Sequence, residues 1–301
     1  MILEDSQRFY AEEIRACGNI RSEALIDAFA RVPRERFLGP GPWNISAADV
    51  MAPSLKYRLT PDADPKHVYH NVAIALDAAR NLNNGHPSSL AAWLDALDLA
   101  PGNRVFHMGC GAGYYTAIIA ETVGLLGRVV AAEVDPDLAA RARENLAYLD
   151  NVEVIAGDGA ACDPGLCDVI FINAGVTHPL PQWLDPLQPA GRLLVPLTFS
   201  MGASLGKGGC LLVKRECDSY SARFVSYVAI YSATTARDSE LNGALMKAFQ
   251  AGTMPKVQSL RRDAHEQDDR CWLHGVGFCL STAASREIHS VVDGNAAAPA
   301  G

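Results

Sequence analysis

The densest chemical signal in the chain is a run of alternating glycines, His107-Met108-Gly109-Cys110-Gly111-Ala112-Gly113, between the apolar run 104–108 and the apolar stretch 114–123. A strand that ends in a tight glycine turn and opens a helix presents backbone N–H groups with no side chains in the way. A ligand can then approach the main chain at the carboxyl end of a sheet. A second signal follows about twenty residues on, where the apolar run 129–133 ends in Glu133, a carboxylate placed to accept both hydroxyls of a ribose. The other reading of Glu133 is a solvated acid at a helix start, since Asp135 and Asp137 also suit the positive end of a helix. A third signal is Gly157-Asp158-Gly159, where Asp158 can receive an adenine amino group while Ala160 or a neighbour packs on the ring. Its alternative is a plain Gly-Asp-Gly turn.

Spacing discriminates between ligands. The dinucleotide fingerprint G-x-G-x-x-G needs glycine at 114, where the chain has Tyr114, and the pattern is G-x-G-x-G instead. That weighs against a nicotinamide cofactor and for S-adenosyl-L-methionine, which has no pyrophosphate to seat. Cofactor contacts are expected from His107, Gly109, Cys110, Gly111, Gly113, Tyr115, Glu133, Val134, Asp158, Gly159 and Asn173.

The elements that must position these residues follow from periodicity. Phe9, Ile14, Leu25, Ile26 and Phe29 fall at helical spacing, ahead of Val32-Pro33-Arg34-Glu35-Arg36-Phe37 and the breaker Gly39-Pro40-Gly41-Pro42. Residues 44–64 read as irregular and proline-punctuated, and 68–76 as a strand or hairpin. A helix over 88–99 precedes the strand 104–108, and helices at 114–123, 136–149 and 181–187 alternate with strands at 129–133, 152–156, 169–173 and 192–196. Such alternation predicts an α/β, doubly wound Rossmann-like sheet with crossover helices. Residues 1–80 are expected to form an N-terminal helical cap on the substrate side and 81–200 the cofactor-binding core. Residues 201–284 are expected as a C-terminal extension with edge strands at 209–214, 224–231 and 272–280 and a helix at 240–250. The tail 285–301 has too little apolar surface to order itself.

Composition bounds the rest. With 301 residues, 49% of them hydrophobic, the chain can bury a full core. A net charge of −8 gives no broad basic surface, so nucleic acid is not an expected partner. The amino terminus has no cationic stretch leading into an apolar run, and no window is long and apolar enough to span a bilayer. A soluble cytoplasmic protein with no membrane partner is expected. The eight cysteines are dispersed at 17, 110, 162, 167, 210, 217, 271 and 279 with no Cys-x-x-Cys pair, so neither a metal site nor a disulfide framework is expected.

Over roughly residues 20–200 the chain resembles the protein-L-isoaspartate O-methyltransferase family. The resemblance rests on Arg31-Val32-Pro33-Arg34-Glu35-Arg36-Phe37, on Met108-Gly109-Cys110-Gly111-Ala112-Gly113-Tyr114-Tyr115-Thr116-Ala117, on Gly157-Asp158-Gly159 and on Pro189-Ala190-Gly191-Arg192-Leu193-Leu194-Val195-Pro196. It implies transfer of a methyl group to a carboxylate of a protein or peptide, that of an isoaspartyl residue. Positioning and desolvation can supply most of the acceleration for an oxygen that is already anionic. The family carries Thr-x-Ser-x-Pro ahead of the first core helix. Here the segment is Asn81-Leu82-Asn83-Asn84-Gly85-His86-Pro87-Ser88, with Asn83 at the serine position unless Ser88 or Ser89 takes the role. Asn83, Asn84 and His86 are therefore the catalytic candidates; asparagine can still donate to a carboxylate.

The family has an acid where this chain has His107, which is either an altered cofactor contact or a satisfied core residue. His86 and His178 fall on the substrate side, as carboxylate ligands or as polar surface, with Asn173 and Thr177 flanking the transfer region. The alternatives are a methyltransferase acting on a modified peptide or small natural product, a non-catalytic S-adenosylmethionine-binding module, and a nicotinamide dehydrogenase. Oligomeric state is not legible.

Overall fold

Residues 2–47, 56–202 and 204–285 are described by the structure, a computed structural model. Contacts divide the chain into two compact units, residues 1–159 and 160–301.

In the first unit, apolar positions three and four apart bring helix α1 (Leu3–Gly18) and helix α2 (Glu23–Arg31) together through Tyr10, Ile14, Leu25 and Phe29, all buried. The Ser22 hydroxyl caps α2 by accepting from Leu25 N at 3.3 Å. The chain then turns through a short 3₁₀ segment, Arg34–Phe37, which places the Arg34 side chain wholly inside. A buried guanidinium must spend its donors. Nη1 and Nη2 of Arg34 donate to the carbonyls of Val68 (2.6 Å), His70 (2.8 Å) and Val72 (2.7 Å), its Nε meets no acceptor among the described residues, and the cation lies over the rings of Tyr10 and Tyr114. Tyr69 Oη accepts from Arg34 N at 3.1 Å and donates to the Glu35 carboxylate.

This grip explains why the first part of the strand or hairpin expected over 68–76 is not extended pairing, while its end enters a hairpin. The carbonyls of Val68, His70 and Val72 face a cation and not a partner strand, 65–68 forms a 3₁₀ turn, and pairing starts only at Ile74. The supposedly irregular region likewise contains a hairpin, strand β1 (Asn44–Ala47) antiparallel to strand β2 (Lys56–Leu59), whose Ile45 bridges Ile74. Strand β3 (Ala75–Asp77) then pairs with strand β4 (Leu82–Asn83), and helix α3 (Pro87–Ala96) starts with proline at its first turn.

Strand β5 (Arg104–Met108), helix α4 (Tyr114–Val123), strand β6 (Arg128–Glu133), helix α5 (Pro136–Leu146) and strand β7 (Val152–Ala156) follow with short turns. The three strands are parallel in the order β5-β6-β7. β5 is buried after its first residue, as expected of a strand covered on both faces. Helix α4 is buried nearly all round and packs on α2.

The second unit begins with strand β8 (Cys167–Ile172), helix α6 (Pro181–Leu184) and strand β9 (Leu187–Ser200), the two strands parallel. Antiparallel strands β10 (Leu205–Glu216) and β11 (Ser219–Tyr231) extend the sheet, followed by helix α7 (Ser239–Gln250) and strands β12 (Ser259–Arg261), β13 (Cys271–Gly275) and β14 (Phe278–Ser281) in the order β8-β9-β10-β11-β12-β14-β13. The long strands start earlier than their apolar cores suggest, and α6 stops short of 187 because β9 begins there. The single last strand expected over 272–280 is a hairpin, broken at the fully exposed Val276 between Gly275 and Gly277. Phe249 of α7 packs edge to face on Phe224 and Trp272, which also meet edge to face, and at a tilt on Phe199. The expected tail lies, from residue 286, outside the described residues. No described helix is long and apolar enough to cross a membrane.

Replacing Arg34 by methionine leaves three carbonyls of the 68–72 segment without their charged donor. The expected cost is at least about 3 kcal/mol of unfolding free energy in urea. Arg36→Gln, which removes a cation resting over the half-exposed Tyr148 ring, is expected to cost under about 1 kcal/mol.

Candidate active site

The glycine loop is held from three sides. Gly109 N and Cys110 N donate to the Ala132 carbonyl at 2.8 and 3.3 Å, tying the end of β5 to β6. Gly111 N donates to Glu133 Oε2 at 2.7 Å. From α5, Asn145 Nδ2 donates to the Ala112 carbonyl at 2.9 Å. Gly113 opens α4 at φ +97°, and a Cβ there would stand 2.8 Å from Leu146 Cδ1, so both conformation and space demand glycine. Gly111 also takes a left-handed φ of +57°, and a Cβ on it would meet only Leu76 of β3, at 3.6 Å.

Glu133 is buried, at 7% exposure. Its second oxygen accepts from Asp135 N at 3.1 Å, and its own carbonyl accepts from Gly157 N at 2.8 Å. The carboxylate is thus part of the loop's architecture and not a solvated helix-start acid; that place belongs to Asp135, which caps α5 through Asp137 N and Leu138 N, both at 3.1 Å. Val134 beside it is about half exposed. Asp158 is partly buried just beyond β7. A Cβ on Gly159 would fall 2.6 Å from Met108 Cγ and 3.2 Å from Ala132 Cβ, so the chain there presses against β5 and β6.

His107 is completely buried, its Nδ1 2.9 Å from Thr116 Oγ1. Burial holds it neutral, down to about 3. Burial, reinforced by the Glu133 carboxylate, pushes the Cys110 thiol far up, which makes it a poor nucleophile.

The Asn83 segment reaches this loop from above. Arg80, in the β3–β4 turn, pairs with Asp135 at 2.7 Å. Asn83 makes two hydrogen bonds: Oδ1 accepts from Gly85 N at 2.9 Å and Nδ2 donates to Tyr57 Oη at 3.2 Å. Asn84 behaves differently. Its Oδ1 accepts from Ile74 N at 2.8 Å, which fixes the amide's orientation, and its buried Nδ2 meets no acceptor among the described residues. Tyr115 lies under the same segment, its Cε2 3.8 Å from where a Cβ on Gly85 would stand, and its buried hydroxyl also has no partner among the described residues. Burial raises Tyr115, so it stays a neutral donor.

His86 precedes α3, its Nδ1 3.3 Å from Ser88 Oγ. Ser88 in turn exchanges two hydrogen bonds with the Asn71 side chain, and Asn71 N donates to Glu13 Oε2 at 3.0 Å. Burial and then the Arg34 charge lower His86 below its ordinary value, with Glu13 partly opposing.

The first unit therefore brings together every expected site residue except Asn173, which follows β8 in the second unit with Thr177 and His178. Thr177 is fully buried, accepts from Asp238 N at 2.8 Å and shares a 3.0 Å hydrogen bond with His178 Nδ1; the His178 ring stacks on Phe278. Asn71, Asn145 and the Arg80–Asp135 pair went unnoticed in the sequence. Lone polar residues carry no spacing signal, and their partners are 17 and 33 residues away for the two asparagines and 55 for the pair.

A parallel strand, a glycine turn opening a helix, and a second strand ending in a carboxylate tied to that turn define a Rossmann-like S-adenosylmethionine-dependent methyltransferase core. The profile of the protein-L-isoaspartate(D-aspartate) O-methyltransferase family matches residues 6–206, and the chain belongs to that family of S-adenosylmethionine-dependent enzymes. The protein-L-isoaspartate O-methyltransferase of Aeropyrum pernix is 32% identical over 192 residues, covering 62% of this chain and 64% of that one, so the match spans just under two thirds of that relative. The enzyme of the same name from Methanothermobacter thermautotrophicus is 28% identical over 230 residues, covering 75% of this chain and 93% of its own. Among solved structures, a protein-L-isoaspartate O-methyltransferase superposes with a TM-score of 0.57 at 21% identity, covering 81% of this chain and 69% of the other. A Plasmodium falciparum protein of that description, in complex with S-adenosyl-L-homocysteine, also gives 0.57, at 17% identity over 76% of this chain and 98% of its own. These two likenesses establish the fold.

The neutral burial of His107 has a consequence in acid. The unfolded chain protonates this histidine near the ordinary 6.5 and the folded chain only near 3, so its contribution is complete above 6.5 and is lost as pH falls toward 3. Between pH 7 and pH 5 the unfolding free energy is expected to drop by about 2 kcal/mol from this group. His107→Gln is expected to flatten that slope in parallel urea titrations; an unchanged slope would mean the imidazole is not buried neutral.

Proposed function

We propose that this chain transfers the methyl group of S-adenosylmethionine to a carboxylate of a protein or peptide, with an isoaspartyl residue as the acceptor that family membership favours. The observation that carries the acceptor side is a pair of buried donors that meet no acceptor among the described residues: Asn84 Nδ2, next to Gly85 in the chain, and Tyr115 Oη, whose ring Cε2 lies 3.8 Å from where a Cβ on Gly85 would stand. Unsatisfied buried donors are costly and rare away from sites where a ligand completes them. Two neutral donors suit one anionic carboxylate.

The cofactor side is tested by the donor set. Each Glu133 oxygen uses one lone pair on a backbone N–H and keeps another, so the carboxylate can accept two ribose hydroxyls without releasing the loop. Gly111 leaves its backbone open to close approach. These features fit S-adenosylmethionine, with Glu133 on the ribose, Asp158 on the adenine amino group and Val134 against the ring. When bound, the cofactor supplies an electrophilic sulfonium methyl.

The protein's part is to bring an oxygen that is already anionic into line and strip it of water, so no strong base is required. Asn84 and Tyr115 would orient the acceptor carboxylate by donating to it. Asn83, bonded to Tyr57 and Gly85, holds the segment in shape, so the family hydroxyl's place is taken by a positioning residue. His86, lowered by burial, is uncharged at neutral pH and would act as a hydrogen-bonding group and not as a cation. The amide at position 83 also favours a second reading, in which the acceptor carboxylate belongs to a modified peptide.

The test is methyl transfer from labelled S-adenosylmethionine to a short isoaspartyl peptide and its aspartyl twin. Label is expected on the isoaspartyl peptide alone. Asn84→Asp, which sets a like charge against the acceptor, and Tyr115→Phe are each expected to lower kcat/KM about tenfold to a hundredfold, the worth of one hydrogen bond to a charged group. Unlabelled isoaspartyl peptide with S-adenosylhomocysteine still bound would exclude this acceptor, and unaffected variants would remove both donors from the mechanism.

A further inference from the structure

The second unit holds a cluster of side chains that the methyltransferase core does not use. His265, Cys271, His274 and Cys279 place their potential ligand atoms within 4.8 Å of one another. The β13–β14 hairpin is what gathers them. Register pairs His274 directly with Cys279, so the two side chains are neighbours on one face. In a regular strand Cys271 and His274, three apart, would point to opposite faces; the irregularity between Cys271 and Leu273 turns them to the same one. His265 arrives from the preceding loop, its ring edge-on to His274 with centroids 4.9 Å apart.

The atoms are also oriented as ligands. His265 Nδ1 lies 2.9 Å from the Asp263 carbonyl, so Nδ1 carries the proton and Nε2 presents its lone pair to the cluster. Cys271 Sγ stands 3.6 Å from that Nε2. Tetrahedral zinc with its usual Zn–S and Zn–N bonds separates a sulfur and a nitrogen by about 3.6 Å. The Nδ1 of His274 is buried with no hydrogen-bond partner among the described residues. Asp268 N donates to Cys271 Sγ at 3.4 Å, and the Cys271 thiol donates to Asp268 Oδ1 at 3.4 Å.

We propose that His265, Cys271, His274 and Cys279 form a structural zinc site that clamps the loop 262–270 onto the β13–β14 hairpin. Two thiolates and two neutral imidazoles around Zn²⁺ give zero net charge, which suits a cluster whose Cys279 is fully buried. Both thiol protons are released to solvent on binding. The two-sulfur, two-nitrogen donor set selects zinc over magnesium or calcium. The clamp braces β14, whose Phe278 supports the stacked His178. Sequence inspection passed over the site because its spacing, His-x₅-Cys-x₂-His-x₄-Cys, contains no Cys-x-x-Cys pair and needs the bulge to converge.

The test is the metal content of the tag-free, full-length protein purified under reducing conditions, by inductively coupled plasma mass spectrometry. One zinc per chain is expected in the wild type and in Cys17→Ser, which alters an exposed cysteine, and almost none in the double variant Cys271→Ser/Cys279→Ser. Should that variant fail to fold, wild-type protein stripped by a chelator and titrated with Co²⁺ is expected to show intense tetrahedral d–d absorption with a thiolate charge-transfer band. Adding Zn²⁺ to the stripped protein is expected to raise Tm. A wild type with no stoichiometric zinc and no tetrahedral cobalt spectrum overturns the proposal, as does a Cys271–Cys279 disulfide in the metal-free, untreated protein.

Discussion

The carboxylate of Glu133 is the constraint around which the cofactor-binding core is organised. A charge at the buried end of a parallel strand must be met by donors, and here they are the backbone N–H groups of Gly111 and Asp135. The glycine loop cannot move away without leaving that charge unpaired, so loop and strand end behave as one piece. The same arrangement leaves each oxygen with a second lone pair, the one proposed to accept a ribose hydroxyl. One acidic residue therefore shapes the loop, which is why its position beyond the glycines matters more than the glycines alone.

A second buried charge does comparable work in the cap. Arg34 gathers three carbonyls of the segment 68–72, and that segment leads into β3 and β4. Leu76 is thereby brought over Gly111, and Arg80 onto Asp135, one residue from Val134 and two from Glu133. The Asn83 segment is thus aligned with the glycine loop by two cations, one buried and one at the surface. Its own side chains differ: Asn83 bonds Gly85 and Tyr57, and Asn84 Nδ2 meets no acceptor among the described residues.

Much of this was legible in the sequence, for definite reasons. Continuous apolar runs at 104–108 and 129–133 mark buried parallel strands, and glycines at 109, 111 and 113 mark the turn between strand and helix. The family motif around Arg34 was visible as a string, but its meaning was not, because the carbonyls it binds lie 34 to 38 residues away. For the same reason 68–76 looked like a strand. The strands β9, β10 and β11 outrun their apolar centres because hairpin pairing carries polar ends along. The His265–Cys279 cluster escaped because a bulge and a tight turn, neither written in residue spacing, bring it together.

The most direct test of the central claim is calorimetric titration of S-adenosylhomocysteine into the wild type and Glu133→Gln, with both checked for an intact fold by circular dichroism. Glutamine replaces one acceptor by an N–H₂ group that faces either a backbone N–H or the ribose hydroxyls. Saturable one-to-one binding by the wild type and a loss of at least about tenfold in the variant are expected. Equal affinity in two equally folded proteins would contradict the claim that this carboxylate holds both the loop and the cofactor.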